Sequence, residues 1–148
     1  MTHQLRDIMT SDVVTVNGAQ TIQEAASLMS QYNIGSIPVV DESGNLQGII
    51  TDRDITLRST AAGDKPHTFV KDVMSTNNIV SATPDMGIEE AAQLMAKQQI
   101  RRLPILENQQ LVGVVSLGDL AVHQEHDQKA GAALASISTP STPQQNQF

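Results

Sequence analysis

LQGIITDRDI, residues 46–55, returns as LVGVVSLGDL at residues 111–120. Each stretch runs from aliphatic residues, as in a buried strand, straight into a hydroxyl, two other residues and a carboxylate. The pairs are Thr51 with Asp54 and Ser116 with Asp119. One such stretch is only a strand meeting a helix. Two of them raise the question of whether the whole chain is duplicated, and self-comparison answers it.

RDIMTSDVVTV from Arg6 matches KDVMSTNNIVSA from Lys71, with one residue inserted in the second copy. TIQEAASLM (21–29) matches GIEEAAQLM (87–95), and IGSIPVVD (34–41) matches IRRLPILE (100–107). The spacing between copies stays nearly constant across all four blocks, which chance does not explain. The chain divides into unit 1 at 5–60, a linker at 61–69, unit 2 at 70–125, and a tail at 126–148. The tail opens Ala-rich (DQKAGAALAS) and ends in TPSTPQQNQF, a composition too polar to pack and expected to be disordered.

Each unit reads strand, helix, strand, strand, helix, an α/β (α+β) pattern. Ile22, Ala25, Ala26 and Met29 recur at i, i+3, i+4 and i+7, one face of a helix. Ile88, Ala91, Ala92 and Met95 repeat the stripe. Thr21 and Glu24 form a capping box at the first helix start, and Gly87 takes that position in the second copy. The runs at 37–40 and 46–51 read as strands joined through DESGN, whose Gly-Asn favours a tight turn. One copy would leave an apolar sheet face bare, so two copies packed face to face would close it.

Composition narrows the function. The 148 residues are 39% hydrophobic but only 2% aromatic, so the core must be Ile, Val, Leu, Met and Ala. Cysteine is absent, which excludes disulfides, thiol catalysis and Cys-based zinc sites. The net charge of −7 argues against a duplex nucleic-acid partner, which needs a broad cationic face. There is no signal-peptide pattern and no apolar run long enough to span a membrane, so a cytoplasmic protein is the expectation. No GxxxxGK loop and no Ser–His pairing at a supporting spacing occurs, so no enzyme is expected.

The tandem IPVVD/LPILE and GIITDRDI/GVVSLGDL blocks resemble the CBS-domain pair, or Bateman module, over about residues 5–125. The likeness is to small stand-alone bacterial proteins of two CBS units. That resemblance implies pseudo-two-fold packing of the units, two clefts between them, and adenine nucleotides (AMP, ADP, ATP or a related adenosyl ligand) as ligands. It further implies a homodimer and a regulatory role toward a protein partner not identified by the sequence, with no cofactor required.

The family's ribose-phosphate motif is a Gly, an aliphatic pair, Ser or Thr, two variable residues, then Asp. It falls on Gly48, Thr51 and Asp54, and on Gly113, Ser116 and Asp119. The resemblance places adenine against Val13, Val14 and Ile37, or against Ile79, Val80 and Leu103, with Pro38 and Pro104 fixing the turn beside them. It gives phosphate to Arg101 and Arg102, with Arg53 as a further cation. The first copy departs here, since Gly35 and Ser36 replace the two arginines. If the arginines reach across a cleft, the Thr51–Asp54 motif is the one they serve.

Plainer readings stand beside these. Asp54 and Asp119 also read as acids at a helix N-terminus, and Arg101 and Arg102 as surface charge. His123 and His126, three apart in HQEHD, could share a metal, but two histidines on an exposed final helix are more often just polar surface. A ligand-free interaction scaffold remains the alternative to a nucleotide sensor.

Overall fold

The structure, a computed structural model, describes residues 3–123. The expected Ala-rich helix and the disordered tail fall outside the described residues, as does His126. Two helices carry the apolar stripes: α1 (Ile22–Tyr32) and α2 (Ile88–Gln98). Between and after them lie β1 (Ser36–Val40), β2 (Leu46–Thr51), β3 (Arg102–Glu107), β4 (Gln110–Ser116) and α3 (Leu117–His123). A mixed helix and strand fold is what the sequence pattern predicts.

Ile22, Ala25, Met29, Ile88, Ala91 and Met95 are all buried, as their spacing requires. The stripes are not identical, because Ala92 is fully buried whereas Ala26 is exposed. Thr21 Oγ1 accepts the Glu24 N–H at 3.1 Å. The Gln20 side-chain amide, and after it the Thr21 backbone, hold the Glu24 carboxylate below its ordinary value. In α2 the cap position is Gly87, with no side-chain hydrogen bond and open space where a Cβ would stand.

This difference gives the first prediction. Thr21→Ala should cost about 1 kcal/mol of stability, whereas Gly87→Ser should gain a few tenths of a kcal/mol. Urea denaturation of both variants checks the contrast, and a loss of stability in Gly87→Ser would contradict it. Both helices end on a non-glycine residue in the left-handed region, Asn33 at φ 54° and Gln99 at φ 56°.

The first strand of each unit is reduced to one bridging residue. Val16 pairs in parallel with Val39, and Ala82 with Ile105. The named sheets are therefore two-stranded, β1 with β2 and β3 with β4. β1 and β2 run antiparallel with Ser36 opposite Thr51 and Val39 opposite Gly48, and the register slips between Val39 and Val40. Pro38 and Pro104 lie inside β1 and β3 rather than at a turn. They are tolerated there because each is needed only as an acceptor. Pro38 O takes the Val16 N–H at 3.2 Å and Pro104 O the Ala82 N–H at 3.0 Å.

Two compact units emerge, and each combines segments of both repeats. Among the described residues, one holds 3–13, 80–108 and 112–123, and the other Val14–Ile79 with Gln109–Leu111. Leu5, from the first repeat, is buried in a core with Ile88, Met95, Leu103, Val115 and Leu120. Val70 and Val73, from the second repeat, are buried with Val16, Ile22, Ile37 and Ile50. The backbone explains the exchange, and both units use the same bonds. Leu5 N–H donates to Met86 O at 2.9 Å, as Val70 N–H does to Gln20 O at 2.8 Å. Ile88 N–H donates to His3 O, and Ile22 N–H to Thr68 O.

Candidate functional site

The hydroxyl and carboxylate that recur at each strand end hold each other. In the Val14–Ile79 unit, Asp54 N–H donates to Thr51 Oγ1 at 2.9 Å, and Thr51 N–H donates to Asp54 Oδ2 at 3.1 Å. In the other unit, Asp119 N–H donates to Ser116 Oγ at 3.3 Å, and Ser116 N–H to Asp119 Oδ2 at 2.8 Å. Both pairs form a reciprocal cap, which satisfies two backbone donors at the start of a helix. This is the physical reason for the spacing, since three residues is the span over which cap and first turn face one another. The acid-at-a-helix-start reading is therefore what the geometry displays. A carboxylate fixed in this way keeps lone pairs beyond those used by the cap.

Beyond the cap, the two motifs differ. The helix after Thr51 is wound as a π-helix over Asp54–Thr60, with Ala61 N–H reaching Thr56 O at 3.0 Å. The Leu117–His123 segment is an ordinary α-helix. Asp54 is buried, and Asp119 half-buried. Ser75 Oγ donates to Asp54 at 3.2 Å from Oδ1 and 3.3 Å from Oδ2, and Arg58 Nη1 lies 3.7 Å from Oδ1. Ser75 was not among the residues expected from the sequence. Its signal was there: the hydroxyl after the methionine recurs as Thr10 and Ser75 in the first repeated block.

The expected site residues fall into the two units as follows. Val14, Ile37, Pro38, Thr51, Arg53, Asp54 and Ile79 belong to one. Val13, Val80, Arg101, Arg102, Leu103, Pro104, Ser116 and Asp119 belong to the other. The pairs Val13–Val14 and Ile79–Val80 thus straddle the division. Ile37 and Leu103 are fully buried, Val14 and Val80 pack partly buried against the two cores, and Arg53 is exposed.

Arg101 and Arg102 stand beside the motif of their own unit. Arg101 O accepts the Leu117 N–H at 3.0 Å, next to Ser116. Burial lowers the Arg102 guanidinium from its ordinary value, and the Asp119 carboxylate opposes that shift. The sequence reading gave these cations to Thr51 and Asp54. The carboxylate whose charge acts on the Arg102 guanidinium is Asp119. At the matching place in the first repeat, Gly35 O accepts the Asp52 N–H at 2.9 Å, and a Cβ on Gly35 would meet Asp52 Oδ2 at 3.2 Å.

A cavity of about 610 Å³ opens at the far end of β1, lined by Asn17, Val40, Asp41, Glu42, Gln47 and Lys71 among others. None of the expected site residues lines it. We place the candidate site at the motifs because there, among the described residues, a carboxylate fixed by a reciprocal cap recurs in both units. His3 and His123 meet edge to face at 4.9 Å, and among the described residues no group of three or more metal-ligating side chains converges. No helix among them is long and apolar enough to cross a membrane.

Comparison with known proteins agrees with the repeat. The CBS domain family matches residues 5–59 and again 70–125. The CBS domain-containing protein YhcV of Bacillus subtilis is 58% identical over 134 residues, covering 90% of this chain and 94% of that protein. The crystal structure of AcuB from Vibrio cholerae superposes with a TM-score of 0.75 at 27% identity, over 95% of this chain and all of that one. The CBS domain pair of protein MJ0100, in complex with 5′-methylthioadenosine and S-adenosyl-L-methionine, gives 0.71 at 28% identity, over 84% and 98% of the two chains. With two matched domains and a relative this similar along nearly its whole length, the chain belongs to the CBS domain family, as a tandem pair.

Proposed function

We propose that the chain is a ligand-sensing regulatory module that binds an adenosyl ligand at its two hydroxyl–carboxylate motifs and does not turn it over. The observation that carries this reading is the duplicated carboxylate, Asp54 and Asp119, held in one orientation by a reciprocal cap at the start of a helix. Such a group suits the vicinal hydroxyls of a ribose, and free N–H groups at the helix start suit a phosphate. The bound 5′-methylthioadenosine and S-adenosyl-L-methionine of the MJ0100 pair support the ligand class. Binding would shift the population between arrangements of the chain and so signal to a partner protein. The module is proposed to act as a cytoplasmic homodimer of two-fold symmetry, for which light scattering should return twice the chain mass.

One observation favours a second reading, a ligand-free interaction scaffold. The caps account for both motifs without any ligand, and Asp54 is further satisfied by Ser75. A thermal-shift series against 5′-methylthioadenosine, S-adenosylmethionine, AMP, ADP and ATP separates the two. At a hundred times the dissociation constant a ligand adds about 2.7 kcal/mol, or about 5–10 °C in Tm for a chain of this size. A flat response to all five at millimolar concentration favours the scaffold.

A further inference from the structure

The two motifs match in sequence and differ in what faces the carboxylate. The Ser75 hydroxyl sits almost symmetrically across Asp54, 3.2 Å from one oxygen and 3.3 Å from the other. That is where a vicinal diol approaches a carboxylate, one hydroxyl to each oxygen. Ser75 is held there from two sides. Its backbone exchanges bonds with Ile49, Ser75 N–H to Ile49 O at 2.8 Å and Ile49 N–H to Ser75 O at 3.0 Å. Arg58 reaches Met74 O at 3.5 Å while facing Asp54 Oδ1 at 3.7 Å.

At the other motif the equivalent residue is Thr10, which pairs with Val114 through backbone bonds of 2.9 Å in both directions. Among the described residues no hydrogen bond joins its hydroxyl to Asp119. The side-chain and backbone bonds from Ser116 both fall on Asp119 Oδ2, and no hydroxyl spans its two oxygens. Asp119 is also the more exposed of the two acids.

We propose that Ser75 is an internal stand-in for a ligand hydroxyl, so that the Asp54 motif is closed to a ribose diol while the Asp119 motif is open. The two copies of the module are thereby unequal. A ligand carrying a ribose diol binds first at Asp119, and it binds at Asp54 only by displacing the Ser75 hydroxyl. Ser75 lies on the segment exchanged between repeats, just after Val70 and Val73 enter the core. Displacing it therefore pulls on the chain that connects the repeats, which is a route from occupancy to conformation.

This inference rests on the adenosyl-ligand reading, and calorimetry with 5′-methylthioadenosine tests each separately. That probe carries no phosphate, so phosphate contacts with the arginines do not enter the comparison. The wild-type chain should show one tight equivalent, removed by Asp119→Asn. Ser75→Ala should gain a second equivalent, at least fivefold tighter than any second binding in the wild type, and adding Asp54→Asn should remove that gain. Thermal unfolding of each variant without ligand establishes that it is folded. Two equal equivalents in the wild type, or a Ser75→Ala variant with unchanged second binding, overturns the inference alone. No heat from any variant overturns the adenosyl-ligand reading and the inference with it.

Discussion

Leu5→Ala should lose about 3 kcal/mol of stability, the scale of a buried leucine truncated in a core that cannot collapse to fill the gap. Leu5 is fully buried, five residues from the start of the chain, in the core that holds Ile88, Leu103 and Val115. Its neighbour Arg6 is exposed, so Arg6→Ala should stay within about 0.5 kcal/mol. The location of the damage matters as much as its size. Amide exchange in Leu5→Ala should accelerate at Leu103, Ile105 and Val115, which share its core. It should stay slow at Ile37, Val39 and Ile50, which pack around Val70 instead. Acceleration in the second group would mean that Leu5 stabilises its own repeat, and the exchange of leading segments would be wrong.

That exchange shows where the sequence stops being informative. The helix stripes, the strand runs and the repeat itself are legible because each rests on spacing within a short window. Which core a leading segment joins is not a local property. RDIM and KDVM present the same pattern, and both cores are aliphatic, so the residues fit either partner. The first strands fared similarly. Val13–Val16 has the composition of a strand, yet only Val16 finds a ladder partner. Ala26 and Ala92 stand at matching positions with opposite exposure, because periodicity gives the direction of a face but not its width.

The site was partly legible for a related reason. The hydroxyl–carboxylate pair was visible as a recurrence, and the structure supplies its local cause in the reciprocal cap. What faces the pair comes from distant chain. Ser75 is 21 residues from Asp54. Arg102 could be read as a cation, but its partner depended on how β3 lies against the start of α3. Side-chain length allowed Asp54 or Asp119, and in the fold it is the Asp119 charge that acts on Arg102.

Gly48→Ala should cost about 2–3 kcal/mol, because an added methyl there is overpacking against backbone and not only against a side chain. A Cβ on Gly48 would meet Met74 Sδ at 2.8 Å and Ser75 O at 2.8 Å. A methionine can turn its sulfur aside. The Ser75 carbonyl cannot move without breaking its bond from Ile49 N–H at 3.0 Å. Gly113 makes the useful comparison, since its Cβ would meet Met9 Sδ at 2.6 Å and Thr10 O at 3.0 Å. There the closest atom is flexible and the carbonyl stands further off, so Gly113→Ala should cost about 1 kcal/mol less than Gly48→Ala. Urea denaturation of the two variants measures the difference. The motif glycine is thus explained without a ligand, as the place where the exchanged segment crosses the strand. It also ties stability to the site, because the residue pushed by the new methyl is the one whose hydroxyl rests on Asp54. Gly48→Ala should therefore free the Asp54 carboxylate as Ser75→Ala does, at a greater loss of stability. Equal costs for the two glycine substitutions would show that the Ser75 carbonyl yields freely, and that the segment is not clamped against β2.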